Sequence, residues 1–198
     1  MTAAAITCDI LVVGGSVGGT AAALAASEAG ASVCLIEETN WLGGQLTVQG
    51  VCTPDENRYI ETFGRTRRYA AFRNAIRDYY RNEFTLSAAG KAQEYFNPGS
   101  CWVSALSFEP SVAARILAGL LLPFQQAGNL RVFHNTRAES CSFSAEDPDM
   151  LASVTAHSDS GARLVFTPRF VLDATDTGDL LPMCGSENVD WVIGAESH

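Results

Sequence analysis

Asp9-Ile10-Leu11-Val12-Val13-Gly14-Gly15-Ser16-Val17-Gly18-Gly19-Thr20, answered by Val33-Cys34-Leu35-Ile36-Glu37, is the stretch that decides the fold. Ile10 to Val13 is an uninterrupted apolar run, suited to a parallel strand covered on both faces rather than to a half-solvated edge. Glycines follow at once. Thr20 to Ala29 then supplies small helix residues with Gly30 as terminator, and Ser32 to Ile36 resumes the sheet. The unit is a βαβ whose second strand ends in an acid, the arrangement that holds a dinucleotide.

The physical case starts at the turn. Gly14 lets the strand reverse tightly, and Gly19 lets the following helix pack closely on the sheet. Ser16 replaces the usual middle glycine, so the pattern reads G-x-S-x-x-G, with Gly15 and Gly18 as further small positions beside it. The N–H groups of the helix start, at Val17 and its neighbours, point at a diphosphate whose charge the helix dipole favours. Glu37, with Glu38 next to it, ends the second strand. A carboxylate there accepts hydrogen bonds from an adenosine ribose and repels a 2'-phosphate, which favours FAD or NAD over NADP.

The rest of the composition narrows the class. The chain has 198 residues, 47% of them hydrophobic, enough for one substantial core or two small ones. A formal net charge of -9 argues against a general nucleic-acid or anionic-membrane surface. No run is long and apolar enough to span a membrane, and Met1 to Ala5 lacks the basic start of a secretory signal, so the cytoplasm is the expected compartment. Six dispersed cysteines form no CxxC pair, and with three histidines they advertise neither a zinc cluster nor a disulfide framework. No metal site is expected. His134 and His157 read as structural hydrogen-bonding residues in strands, and Cys52 reads as a buried residue, so no catalytic base or nucleophile is assigned.

Between Arg58 and Arg81 seven arginines face only two acids, Glu61 and Asp78, while Tyr69, Phe72, Ile76 and Tyr79 or Tyr80 recur at helical spacing. Arg73, Arg77 and Arg81 fall at successive i,i+4 positions, which predicts a basic helix face, either simply solvated or open to a phosphate, an acidic substrate or an acidic partner. Asn97-Pro98-Gly99-Ser100 is a turn, and Cys101 to Leu106 is predicted as a short extended piece. Pro110 opens a helix with Val112, Ile116 and Leu120 on its buried side, and Pro123 is predicted to kink or end it. Leu130 to His134 reads as a strand. Residues 151–157 and 163–170 read as a hairpin, and Phe170 to Asp173 as a strand returning to the main sheet.

On these residues the chain resembles the bacterial FAD-dependent oxidoreductases of the glutathione-reductase-like fold, with their initial DVVVVGG-type motif. Trp41-Leu42-Gly43-Gly44-Gln45-Leu46-Thr47 resembles that family's second glycine motif, whose backbone approaches FAD near the ribityl and pyrophosphate groups. Asn97 to Val103 and Phe108-Glu109-Pro110 resemble further family segments. Asp173-Ala174-Thr175-Asp176-Thr177-Gly178-Asp179-Leu180 resembles its DATG-type return to the cofactor. The resemblance implies that Gly43, Gly44 and Gln45 contact FAD, that Arg137 and Ala138 lie beside the adenine, and that Ala174, Thr175, Gly178 and Asp179 line the adenosine or pyrophosphate. Asp173, Asp176 and Asp179 are read as fixing loop N–H groups rather than transferring protons or holding Mg²⁺.

The fold expected is therefore α/β, a Rossmann-like FAD-binding domain with a central parallel sheet, an added β-hairpin and an inserted helical region. Residues 1–53 are the first part of the FAD-binding domain, 54–127 a helical insertion and connecting helix, and 128–198 the remaining strands and cofactor loop. The family's members are longer, adding a substrate region and a segment that completes the isoalloxazine pocket. The expectation is an FAD-dependent oxidase or dehydrogenase taking hydride from a small organic substrate. This chain is expected to supply the adenosine and pyrophosphate side, with a complementary polypeptide in a hetero-oligomer, although a fragment or a processed chain has the same appearance. The alternatives are a noncatalytic FAD-binding or structural subunit, and an NAD-dependent dehydrogenase.

Overall fold

The computed structural model describes residues 5–185, 187–192 and 194. It divides into two compact units, Met1–Asn40 with Phe124–His198, and Trp41–Pro123.

The first unit is built on a six-stranded mixed sheet. Its strands are β1 (Ala5–Val13), β2 (Val33–Ile36), β3 (Leu130–Phe133), β4 (Thr136–Phe143), β5 (Leu151–Ser158) and β6 (Arg163–Asp173), in the order β3-β2-β1-β6-β5-β4. β3, β2, β1 and β6 run parallel, with Val13 opposite both Ile36 and Asp173. β5 and β4 add on antiparallel. All four residues of β2 are buried, as a parallel strand covered on both faces requires. The predicted hairpin is present as β5 and β6, and the returning strand is not separate from it, because β6 runs unbroken from the hairpin to Asp173. β4, which the sequence reading passed over, follows β3 through Asn135, a residue at φ 51, where asparagine is among the better-tolerated side chains.

Near the middle of β1 the side-chain alternation slips. Asp9 and Ile10 both donate to the Ser32 carbonyl, at 2.9 and 3.1 Å, which is the signature of a bulge. On β6 the partner at this point is Pro168, opposite Cys8, a residue with no amide to give a ladder. The slip puts Cys8, Leu11 and Val13 on one side, where they meet Cys34, Ile36, Ala138, Val154, Ala156, Phe166 and Leu180 in a single buried cluster. β4, β5 and the first part of β6, antiparallel to one another, thus share one buried cluster with a face of β1 and β2.

On β1 and β2 packs α1 (Val17–Glu28). Gly19, Ala23 and Ser27, all buried, recur every four residues and let the helix approach closely. It ends in a Schellman motif, with Ala31 N–H on the Ala26 carbonyl, Gly30 N–H on the Ser27 carbonyl, and Gly30 at φ 87.

The second unit contains α2 (Arg67–Glu83), α3 (Ala88–Ala92) and most of α4 (Pro110–Ala127). Pro123 does not end α4, which continues to Ala127. Four residues from the helix end, a missing amide bond costs less than in the middle. Residues 101–106 form no strand. They are a loop tied by Asn97, whose Nδ2 donates to the carbonyls of Cys101 and Ser104 while its Oδ1 accepts from the amide and hydroxyl of Ser107 at 2.8 Å.

The basic face predicted for α2 is also corrected. Arg73 and Arg77 are 0% and 1% exposed, among the largest fully buried side chains. Both pair with Glu61, and Arg73 also pairs with Glu56 at 2.7 Å. Arg77 Nε donates to the Phe96 carbonyl, and Arg81 Nη2 to the carbonyls of Gln93 and Glu94. Arg73 and Arg77 turn inward although their spacing alone fits a solvated stripe, while Arg81 stays exposed and ties the 93–94 backbone to the helix.

Candidate functional site

The site lies where the parallel strands end. Beyond Val13 the chain turns at Gly14, φ 96, and a Cβ there would stand 2.6 Å from the Ala174 carbonyl oxygen and 2.7 Å from the Thr175 nitrogen. A Cβ at Gly19 would stand 2.0 Å from the Gly14 oxygen. Both positions therefore require glycine. Gly18 differs, since a Cβ there would meet only Ser16 Oγ at 3.7 Å.

Ser16 does more than stay small. Its hydroxyl donates to the Ala174 carbonyl at 2.8 Å and accepts from the Gly19 N–H at 3.1 Å. It is the N-cap of α1 and also a tie between the glycine turn and the loop after β6. Ala174 N–H completes that tie on the Val13 carbonyl at 2.8 Å. Val17 and Gly18 stand exposed in the first helical turn, where N–H groups have no partner within the helix.

Glu37 is 6% exposed, and its carboxylate is held by protein donors. Oε2 accepts from Gly15 N–H at 2.7 Å, and Oε1 from Thr39 N–H and Oγ1 at 2.8 and 2.6 Å. The acid at the end of β2 thus fixes the glycine turn itself, a role the sequence reading did not foresee. Glu38 pairs with Arg137 at 3.1 Å on the surface, and Ala138 is buried in β4.

After β6 the loop is organised by Asp173. Its Oδ1 accepts from Thr175 N–H and Oγ1, at 3.0 and 2.7 Å, and its Oδ2 from Leu180 N–H at 3.0 Å. Thr175 Oγ1 in turn accepts from the Asp179 amide at 2.8 Å, and Asp179 Oδ1 accepts from the Thr177 hydroxyl. Gly178 makes the turn at φ 71. Asp173 thus holds two loop N–H groups, as expected of it, whereas Asp179 holds a loop hydroxyl.

The first unit therefore brings together Gly14, Gly15, Ser16, Gly19, Glu37, Ala174 and Thr175 through direct contacts. Gly43, Gly44 and Gln45 belong to the second unit. There Gly43 has φ 111, and a Cβ on it would lie 2.6 Å from Leu117 Cδ1 and 2.8 Å from Thr47 Cγ2, while Gln45 is exposed. Sequence reasoning named Ser16 as a small residue of the glycine turn but missed its part as helix cap and loop tie, and it missed the loop-fixing part of Asn97. For Ser16 the signal was available: a serine directly before a helix start and three residues before Gly19 is a capping pattern.

None of the titratable groups nearby stands out as a proton carrier. His134 Nδ1 is 3.3 Å from the Thr39 carbonyl, in keeping with a structural part. The Cys141 thiol is pushed up to about 12 by burial and by the Cys184 sulfur beside it, so it stays protonated near neutrality. Cys52 is half-buried rather than buried. His198 lies outside the described residues.

A strand–glycine turn–helix joined to a second loop at the sheet's C-terminal edge defines a Rossmann-like nucleotide-binding protein. The family model of the FAD dependent oxidoreductases matches residues 9–198, and the chain belongs to that family. FAD is accordingly its cofactor. No curated protein sequence matches it.

Among solved structures, one similar chain is the myxobacterial chondrochloren halogenase, described as a new variant of FAD-dependent halogenases (16% identity, TM-score 0.53, covering 87% of this chain and 38% of that one). Another is a flavoprotein/dehydrogenase from Cytophaga hutchinsonii (16% identity, TM-score 0.54, 91% and 42%). A third is a geranylgeranyl bacteriochlorophyll reductase-like protein from Thermoplasma acidophilum (14% identity, TM-score 0.54, 92% and 43%). At these identities the likeness is one of fold. The chain spans about two fifths of the length of each.

Proposed function

We propose that this chain supplies the adenosine and pyrophosphate side of the FAD site in an oxidase or dehydrogenase of the glutathione-reductase-like type, and that a complementary polypeptide carries the remainder of the enzyme. The observation that carries the reading is the double approach of Gly14 and Gly19. Backbone meets backbone there, and the first-turn N–H groups of Val17 and Gly18 are left facing outward for an anion.

The residues present fit the cofactor. Gly14 to Gly19 cradle the pyrophosphate, and the helix start sets donors and a positive dipole end against its charge. Glu37 has about four lone-pair sites, of which protein donors take three, so it has room for one ribose hydroxyl rather than two. Arg137 and Ala138 form the adenine side, with Glu38 orienting Arg137. Ala174, Thr175, Gly178 and Asp179 contribute loop backbone. Bound flavin supplies the redox chemistry, accepting hydride from a C–H or C–N bond of a small organic substrate. The work of this chain is to bind and orient the cofactor, and the residues that orient the substrate belong to the complement.

The test is to purify the native assembly and take its visible spectrum, the identity of the released cofactor and the intact mass of every chain. Small organic hydride donors are then added anaerobically. FAD, a second polypeptide and bleaching of the flavin only in the complex support the reading. A colourless monomer that binds no FAD overturns it, and a flavin-loaded complex in which no donor bleaches the flavin favours a noncatalytic FAD-binding subunit.

A further inference from the structure

Two cysteines meet beside the cofactor loop, and two local features bring them there. In β4 one extra residue, Glu139, breaks the register, since Ala138 lies opposite Ala156 but Ser140 opposite Thr155. Ala138 and Cys141 are three residues apart, and strict alternation would send them to opposite faces. The bulge instead re-aims Cys141 onto the buried cluster to which Ala138 belongs. The second feature is the short helix after the cofactor loop, α5 (Leu180–Met183), which packs on β4. Asp173 holds the Leu180 amide, and Leu180 is buried in the same cluster. Cys184 follows one turn on, with its own amide on the Leu180 carbonyl at 3.0 Å, so it lies on the same side of the helix as Leu180.

The Cys141 S–H donates to the Cys184 sulfur, and both cysteines are free thiols. Sulfurs already in hydrogen-bond contact need only a short approach to form a bond, and one of them is carried by a helix of a single turn. Cys184 is buried, but Cys141 is only half-buried, so a small molecule from solvent reaches the pair at Cys141. Cys8 and Cys34 are also neighbours, yet at 3% and 0% exposed they are closed off inside the sheet. Two thiols in contact with one of them open to solvent are the arrangement in which a sulfenic acid is trapped as a disulfide before it oxidises further.

We propose that Cys141 and Cys184 are a dithiol oxidised by hydrogen peroxide, and that their disulfide pins α5 to β4 and slows the release of FAD. One thiol breaks the O–O bond of the peroxide and becomes a sulfenic acid as one water leaves. The other sulfur attacks it, the S–S bond forms, and the sulfenic oxygen leaves as a second water that takes up the remaining thiol proton. The two sulfurs together lose two electrons, and the peroxide gains them. β4 carries Arg137 and Ala138, and α5 trails the 174–179 loop. The bridge therefore joins two elements that the proposed site sets around the adenosine. The slowed release rests on that site, and the linkage itself does not.

To test this, the purified native protein is treated with hydrogen peroxide and its cysteines are mapped by mass spectrometry without reduction. Peptides linked through Cys141 and Cys184, and separated again by dithiothreitol, should appear ahead of any pair joining Cys8 to Cys34. FAD release, followed by flavin fluorescence, should be at least about threefold slower after oxidation, as expected when a cross-link restrains a binding loop. The same treatment should leave release unchanged in Cys141→Ser and in Cys184→Ser, each checked for folding by circular dichroism. Free thiols at both positions after excess peroxide, sulfinic acid at either one without linkage, or preferred linkage to another cysteine overturns the inference. Linkage that leaves FAD release unchanged, in a protein that holds FAD, overturns it too. The cofactor reading is scored separately: a protein that links the pair but holds no FAD sinks the proposed site and the slowed release with it, while the dithiol stands.

Discussion

The two units solve the problem of holding loops in place by opposite means. In the first, backbone meets backbone: Gly14 against Ala174, Gly19 against Gly14, with Ser16 and Asp173 spanning the gaps by short neutral or charge-assisted hydrogen bonds. In the second, two buried guanidinium groups converge on Glu61, which is joined by Arg65. The difference follows from what each must leave free. A site that admits an anionic ligand needs open N–H groups and no bulky side chains, whereas a scaffold can spend its charges on itself.

The comparison breaks most visibly at Glu61. Replacing it by Gln leaves Arg73 and Arg77 buried without their shared counter-charge, and the expected loss is about 3–5 kcal/mol in denaturant unfolding of the purified protein. A change under about 1 kcal/mol would mean that the cluster is solvated, as surface pairs are. The same cluster has a pH signature. Burial would raise the Glu61 carboxyl, but hydrogen bonds from Arg77 and Arg73 outweigh it and hold the group below its usual 4.5. A depressed carboxylate stabilises the fold fully above its unfolded value and loses that contribution as pH falls through the folded one. Melting temperature should therefore be flat above about pH 5.5 and fall below about 4.5 through this residue, with the fall reduced in Glu61→Gln.

Next in size is Gly19→Ala. The added methyl group meets a backbone oxygen that has no rotamer to escape into, and overpacking of this kind costs about 1–3 kcal/mol. Gly18→Ala is the internal control, one residue away in the same helix. With open space around its Cβ it should be neutral or gain up to about 0.5–1 kcal/mol from helix propensity. Equal destabilisation by the two would show that the turn is not locked by backbone approach. Between them falls Ser16→Ala, which removes a cap and an interloop tie and should cost about 0.5–2 kcal/mol, while Ser16→Gly, restoring the commoner residue, should cost only a few tenths.

Legibility in the sequence tracked the same division. The βαβ unit, its parallel sheet and its glycine turn were readable because Ile10–Val13, Gly14, Gly19 and Val33–Glu37 act through local geometry, where residue type and spacing carry the information. The hairpin of β5 and β6 was readable from alternation and from the polar turn at 158–161. What failed depended on distant partners. Nothing within α2 says that Glu61 lies against Arg73 and Arg77, so a buried clamp has the pattern of a solvated face. β4 escaped because its outward positions are polar and its apolar ones sparse. Glu37 was identified as important, but its grip on Gly15 needed the turn in three dimensions.

FAD binding by the purified native protein, compared in wild type and Gly19→Ala, tests the central claim most directly. The account predicts tightly held FAD in the wild type and an affinity lower by at least about tenfold in the variant, equivalent to about 1.4 kcal/mol of lost binding. A wild-type protein that binds no FAD, or a folded variant that binds it as tightly as wild type, would contradict the claim that this backbone turn holds the flavin.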